Sequence, residues 1–175
     1  RSQKPSREAR SPGQDAAVAS NRPTTFRRSG RGLTLLGGTL PSMSGDLQHC
    51  VDLLQQMIRT LSLPGHEGEL ASLVANEMRD LGYDEVRIDE VGNVLGRIEG
   101  RGQAPDLMFN THLDHVDVGD PAGWPHPPFG GEIHDDKVWG RGAVDIKGPM
   151  AAQVVGVARL LRGERPPGDV WVTAV

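Results

Sequence analysis

Apolar positions fall into two helical stripes near the start of the well-patterned part of the chain. Leu47, Cys50, Val51, Leu54, Met57, Ile58 and Leu61 recur at helical spacing and predict one amphipathic helix over residues 46–61. After the break "LPGHEGE", Leu70, Leu73, Val74, Met78 and Leu81 repeat the pattern over 67–81, and Gly82 stands where a left-handed C-terminal cap belongs. The period then changes. "EVRID" at 85–89 alternates like a strand, and "NVLGRIEG" at 93–100 is its hairpin partner across "EVG". "DLMFNTHL" at 106–113 reads as a buried strand. Residues 149–162 are apolar almost all round, with Pro149 suited to the first turn of a helix and Gly163 to its end. "DVWVTAV" at 169–175 is a further strand. Helices interleaved with strands predict an α/β sandwich with a mixed sheet.

Residues 1–42 lack such a pattern. They are rich in Arg, Ser, Gly and Pro, hold eight basic and two acidic residues, and carry a net charge of +6. That composition predicts a disordered basic extension. It suits a non-native upstream extension, a targeting arm or a functional basic tail, and Met43 reads as a native start. The remainder carries −10, which argues against a nucleic-acid partner. No apolar run approaches the ~18 residues of a membrane span. The single cysteine, Cys50, excludes an intramolecular disulfide and fits a reducing compartment, here taken as the cytoplasm.

The candidate chemistry lies between residues 111 and 148. "THLDHVD" packs two histidines and two aspartates into the end of a strand. Residues i and i+2 share a strand face, so Asp114 can accept the ring N–H of His112. A carboxylate in that position commonly orients a metal-binding histidine, and open α/β sheets bind ligands at the carboxyl ends of their strands. The plain alternative is a polar loop after a buried strand. In "GRGAVDIKGPM", glycine flanks Asp145 just ahead of the apolar helix. Such an Asp is either a helix cap or a carboxylate able to bridge two ions ~3.5–4 Å apart. Gly148 and Pro149 after Lys147 exclude a phosphate-binding loop.

Together, "HLDHVDVGDPAGWPHPPFGGEIHDDKVWGRGAVDIKGPMAA" at 112–152 resembles the zinc-dependent exopeptidases and deacylases. That family includes acetylornithine deacetylase, succinyl-diaminopimelate desuccinylase, aminoacylase and glutamate carboxypeptidase. The shared pattern is His112-x-Asp114, Trp124, Pro128-Phe129 and the run from Gly140 to Gly148; the wording of the loop is nearest to the selenium-metabolism-linked subgroup. The resemblance covers about residues 46–175 and implies a three-layer α/β/α sandwich, with 43–175 as a truncated N-terminal part of the catalytic domain. It implies two divalent ions, zinc first and cobalt or manganese as alternatives. His112 would bind one ion, Asp145 would bridge both, and Asp114 would support His112. The peptide after Asp145 would be cis. Trp124, Phe129, Arg141 and Lys147 would shape the site. His115, His126 and His134 have no ligand role in the pattern and are read as loop polarity. A Glu-Glu pair supplying the general base would follow the last strand, so the chain by itself is expected to be inactive. Expected partners are a dipeptide or N-acyl amino acid and, for the full-length protein, a second copy; no nucleic acid or membrane is expected. The rival reading is a non-catalytic binding or regulatory fragment of the same fold.

Overall fold

The computed structural model describes residues 44–175 and, before them, Arg28–Ser29, Gly32–Leu35 and Gly38–Thr39. The chain divides into two compact units, Arg1–Pro41 and Ser42–Val175. In the first, β1 (Arg28–Ser29) pairs antiparallel with β2 (Gly32–Leu35), and β2 with β3 (Gly38–Thr39). These short strands have no counterpart in the sequence reading. The rest of the predicted disordered extension lies outside the described residues.

The second unit opens with α1 (Ser44–Arg59) and α2 (Gly68–Asp80). On α1, Leu53, Met57 and Ile58 are buried, whereas Leu47 in the first turn and Leu61 beyond the last are 63 % and 51 % exposed. The buried stripe is therefore shorter than the apolar pattern. Leu70, Ala71, Val74, Ala75 and Met78 form the inward face of α2. Gly82 has φ +86°; its N–H bonds Arg79 O at 3.0 Å and the N–H of Tyr83 bonds Met78 O at 3.1 Å. That is the paired closure for which a left-handed residue is needed after a helix.

β4 (Glu85–Ile88) and β5 (Val94–Ile98) form the predicted hairpin, with Glu85 opposite Arg97 and Ile88 opposite Val94. The Asp89 carboxylate accepts the N–H groups of Val91 and Asn93 and so shapes the turn. β6 (Leu107–Thr111) runs parallel to β9 (Val170–Ala174), which also pairs antiparallel with β5. The sheet order is β4-β5-β9-β6, so the sheet is mixed as expected. Between β6 and β9 lie a small antiparallel hairpin, β7 (Glu132–His134) with β8 (Lys137–Trp139), and α3 (Gly148–Ala158).

Val94, Ile98, Val170, Val172 and Ala174 point from one sheet face into a single core with Leu53, Met57, Leu70, Met78, Met150 and Val154 from the helices. Fully burying each large apolar side chain contributes roughly 1.5–3 kcal/mol. A Cβ on Gly96 would lie 3.0 Å from the Tyr83 ring, so β5 is glycine where α2 and its exit turn press on the sheet. Of the expected three layers, the described residues supply the sheet and one helical layer. One strand differs from its reading. Among the described residues β6 lies at the sheet edge, with Leu107 and Met108 53 % and 58 % exposed, rather than buried.

Asp84 joins three segments: it accepts both Arg165 guanidinium nitrogens, one at 2.9 Å, and the N–H of Glu99 at 2.8 Å. The Arg165 bond holds its carboxyl below the usual carboxylate range. A carboxyl whose folded value is depressed stabilises the fold above its unfolded value, and that contribution is lost as pH falls through the folded value. Asp84→Asn is expected to cost about 1 kcal/mol at pH 7, discounted for solvent screening. In urea titrations the gap between variant and parent should close below roughly pH 4; a gap unchanged from pH 7 to pH 3 would refute the assignment.

Candidate metal centre

The site begins where β6 ends. Pairing with β9 continues past Thr111, through Val175 N–H to Thr111 O at 3.0 Å and Leu113 N–H to Val175 O at 2.7 Å. Leu113, 1 % exposed, anchors in the core. Its neighbours His112 and Asp114 therefore turn together to the other side, as strand alternation requires. His112 Nδ1 lies 2.9 Å from Asp114 Oδ1.

Asp145 arrives from a bend between β8 and α3. Gly142 has φ +78° and accepts the Lys147 N–H through its carbonyl at 2.9 Å; a side chain there would be strained in this left-handed conformation. A Cβ at Gly140 would collide with Ile58, so the bend sits directly on α1. The Asp145–Ile146 peptide is cis. Asp145 is 87 % exposed and its Oδ1 stands 3.2 Å from His112 Nε2. The two groups, 33 residues apart, thus meet at the wall of a cleft of about 230 Å³ that Asp114, Val116, Arg141 and Val144 also line.

Both ring nitrogens of His112 face a carboxylate. Burial opposes a charge on the ring, but the bond to Asp145 and the contacts with Asp114 outweigh it and raise the His112 pKa. With Nδ1 donating to Asp114, the Nε2–Asp145 contact needs a positive charge between its atoms, either a proton or a metal cation. Donor atoms on a tetrahedral zinc lie roughly 3.4 Å apart, from bond lengths of ~2.1 Å, so this pair suits two ligands of one ion. The second Asp145 oxygen is open to another. The donor set fits a divalent metal.

The surrounding groups hold the bend. Lys147 is fully buried, and its ammonium donates to Met57 O at 2.8 Å and Thr60 O at 2.9 Å. Burial pushes its pKa down to about 8. The Arg141 guanidinium lies over the Trp124 ring at 4.8 Å, and Trp124 Nε1 donates to Val118 O at 3.0 Å.

His115 corrects the sequence reading. It is 2 % exposed rather than a polar loop residue. Its Nε2 accepts the Ser62 N–H at 3.0 Å, its own N–H bonds Ser62 O at 2.8 Å, and its Nδ1 donates to Val116 O at 2.9 Å. It locks the loop between α1 and α2 to the strand end, with Phe129 against its ring at 5.3 Å. Nothing local in the sequence announces this, because the need comes from Ser62, whose backbone is buried 53 residues away. His134 also leaves the loop reading, since it lies on β7; His126 stays in the loop before the hairpin, with its ring stacked on that of His134.

Residues 108–175 match the family described as Peptidase family M20/M25/M40. The chain is 37 % identical over 125 residues to succinyl-diaminopimelate desuccinylase of Cereibacter sphaeroides (strain ATCC 17029 / ATH 2.4.9), covering 70 % of this chain and 33 % of that protein. It thus spans about a third of the length of the curated relatives it matches. Two solved structures share the fold. The M20 family metallo-carboxypeptidase Sso-CP2 from Sulfolobus solfataricus has a TM-score of 0.64 at 21 % identity, over 75 % of this chain and 30 % of that one. The Bacillus subtilis YXEP protein, described as a dinuclear metal binding peptidase, has a TM-score of 0.55 at 17 % identity, over 74 % and 35 %. Among the described residues no helix is long and apolar enough to cross a membrane. The strand-end His-x-Asp and the glycine bend brought together in this fold both lie within residues 108–175, the stretch that matches the M20/M25/M40 peptidase family.

Proposed function

We propose that residues 43–175 are the N-terminal part of the catalytic domain of a dinuclear metal-dependent hydrolase that cleaves amide bonds of small N-acyl amino acids or peptides. The observation that supports this reading is the 3.2 Å approach of His112 Nε2 to Asp145 Oδ1, with Asp114 behind the ring. His112 and Asp145 would hold one ion, Asp145 would reach a second, and Asp114 would fix the imidazole orientation. When bound, zinc, cobalt or manganese polarises a carbonyl and acidifies water. The desuccinylase likeness favours an N-acyl amino acid as substrate, and the metal pair would serve any scissile amide held over the cleft. The general base and remaining ligands would come from other parts of the full-length protein, which we read as a cytoplasmic homodimer.

The test is zinc stoichiometry together with turnover of N-succinyl and N-acetyl amino acids and dipeptides. The chain should take up zinc weakly in the cleft, with no turnover. Two tightly held ions, both lost in Asp145→Ala, with substrate hydrolysis, would overturn the partial-domain reading. Zinc uptake indifferent to His112→Ala and Asp145→Ala would overturn the site itself.

A further inference from the structure

Outside the cleft, the hairpin β7–β8 gathers a second set of metal-philic groups. His126, Glu132 and His134 each offer one donor atom, all within 4.8 Å of one another. Glu132 Oε2 lies 2.7 Å from His134 Nε2. The His126 ring stacks on that of His134, with 3.7 Å between centroids and 5° between planes, and Trp139 meets His126 edge-on at 4.8 Å.

The backbone presents these groups with little freedom. Glu132 and His134 are i and i+2 on β7 and share its face. Asp135 and Asp136 take φ +51° and +59°, the double left-handed conformation of a tight two-residue turn. Trp139 Nε1 donates to His134 O at 3.3 Å. His126 stands in Pro125-His126-Pro127-Pro128, where flanking prolines restrict its own backbone and its neighbours'.

We propose that His126, Glu132 and His134 form a second, peripheral site for a divalent transition metal, zinc foremost. Two imidazoles and one carboxylate are a three-ligand set that leaves zinc one position for water, and imidazole selects zinc or copper over magnesium and calcium. Charge favours a cation as well: residues 132–139 hold three acids, Glu132, Asp135 and Asp136, against one base, Lys137. The metal takes the place of the proton shared by Glu132 and His134. A metal lies in the plane of each imidazole it binds, so the His126 ring must tilt out of its parallel stack. The bound ion cross-links the proline-flanked loop to β7 and, through Trp139, braces the start of the glycine bend.

The experiment uses the whole 175-residue chain carrying His112→Ala and Asp145→Ala, so that the cleft no longer contributes. Titration with zinc by calorimetry, and with cobalt by visible absorption, should show one ion per chain. Adding His126→Ala or His134→Ala should weaken binding at least tenfold, and Glu132→Gln should weaken it by a smaller factor. Zinc should shift the ring NMR signals of His126 and His134 and leave His49 and His66 in place. Metal-free thermal melts of the hairpin variants should match the parent, separating ligand loss from misfolding. No zinc uptake by the His112→Ala/Asp145→Ala chain, or uptake unaffected by His134→Ala, overturns the proposal without touching the cleft reading.

Discussion

Replacing Asp145 by alanine should weaken zinc binding in the cleft by more than a hundredfold while leaving the fold intact. Asp145 is 87 % exposed, so truncation removes little packing, and surface substitutions away from special features usually stay within ~0.5 kcal/mol. Its carboxylate is nonetheless the group that places negative charge beside His112 Nε2. Asp114→Asn should cost less, about 10–100-fold, because it acts through the imidazole rather than on the ion. Following the His112 ring signals by NMR during a zinc titration reads this cleft separately from the β7–β8 hairpin. Equal zinc affinity at His112 in Asp145→Ala and parent would refute the ligand assignment.

The largest expected loss of stability comes from Lys147→Met. Methionine keeps most of the aliphatic stem, so the change isolates the ammonium. That ammonium serves Met57 O and Thr60 O at the exit of α1, where carbonyls run short of helical partners; Met57 O also accepts the Thr60 N–H at 3.3 Å. A cation there is also favoured by the helix dipole. Removing it takes the charged donor from both carbonyls and leaves Thr60 O without this partner; a hydrogen bond to a charged group contributes ~1.5–3 kcal/mol, so about 2 kcal/mol of unfolding free energy should disappear. Urea denaturation of parent and variant at pH 7 measures the difference, and a loss under about 1 kcal/mol would show that water replaces the amine. The bend that carries Asp145 should loosen in parallel, seen as faster amide exchange at residues 143–146 than in the parent.

Helical periodicity located α1 and α2, and alternation located the β4–β5 hairpin, because each buries one face against one core; α3 was legible from an apolar stretch bounded by Pro149 and Gly163. β6 shows the limit of that signal. Leu107, Met108 and Phe109 form an apolar run that suits a central strand as well as an edge, and only the pairing order distinguishes them. The β7–β8 hairpin escaped because its strands are three residues long and its turn is Asp-Asp, with no apolar run to reveal either arm. The i, i+2 relation of His112 and Asp114 follows from strand geometry alone. The meeting of His112 with Asp145 does not, since a contact across 33 residues has no local signature; it was legible only through the family pattern. His115 was misread because composition reports polarity, whereas its place is set by a distant backbone group.

The chain has three lysines, Lys4, Lys137 and Lys147, and of the two among the described residues Lys147 is sealed from solvent and Lys137 is exposed. An amine-reactive label should therefore modify Lys137 readily and reach Lys147 only when α1 and the glycine bend part. Its mass-spectrometric labelling rate becomes an internal clock for that separation, needing no engineered probe.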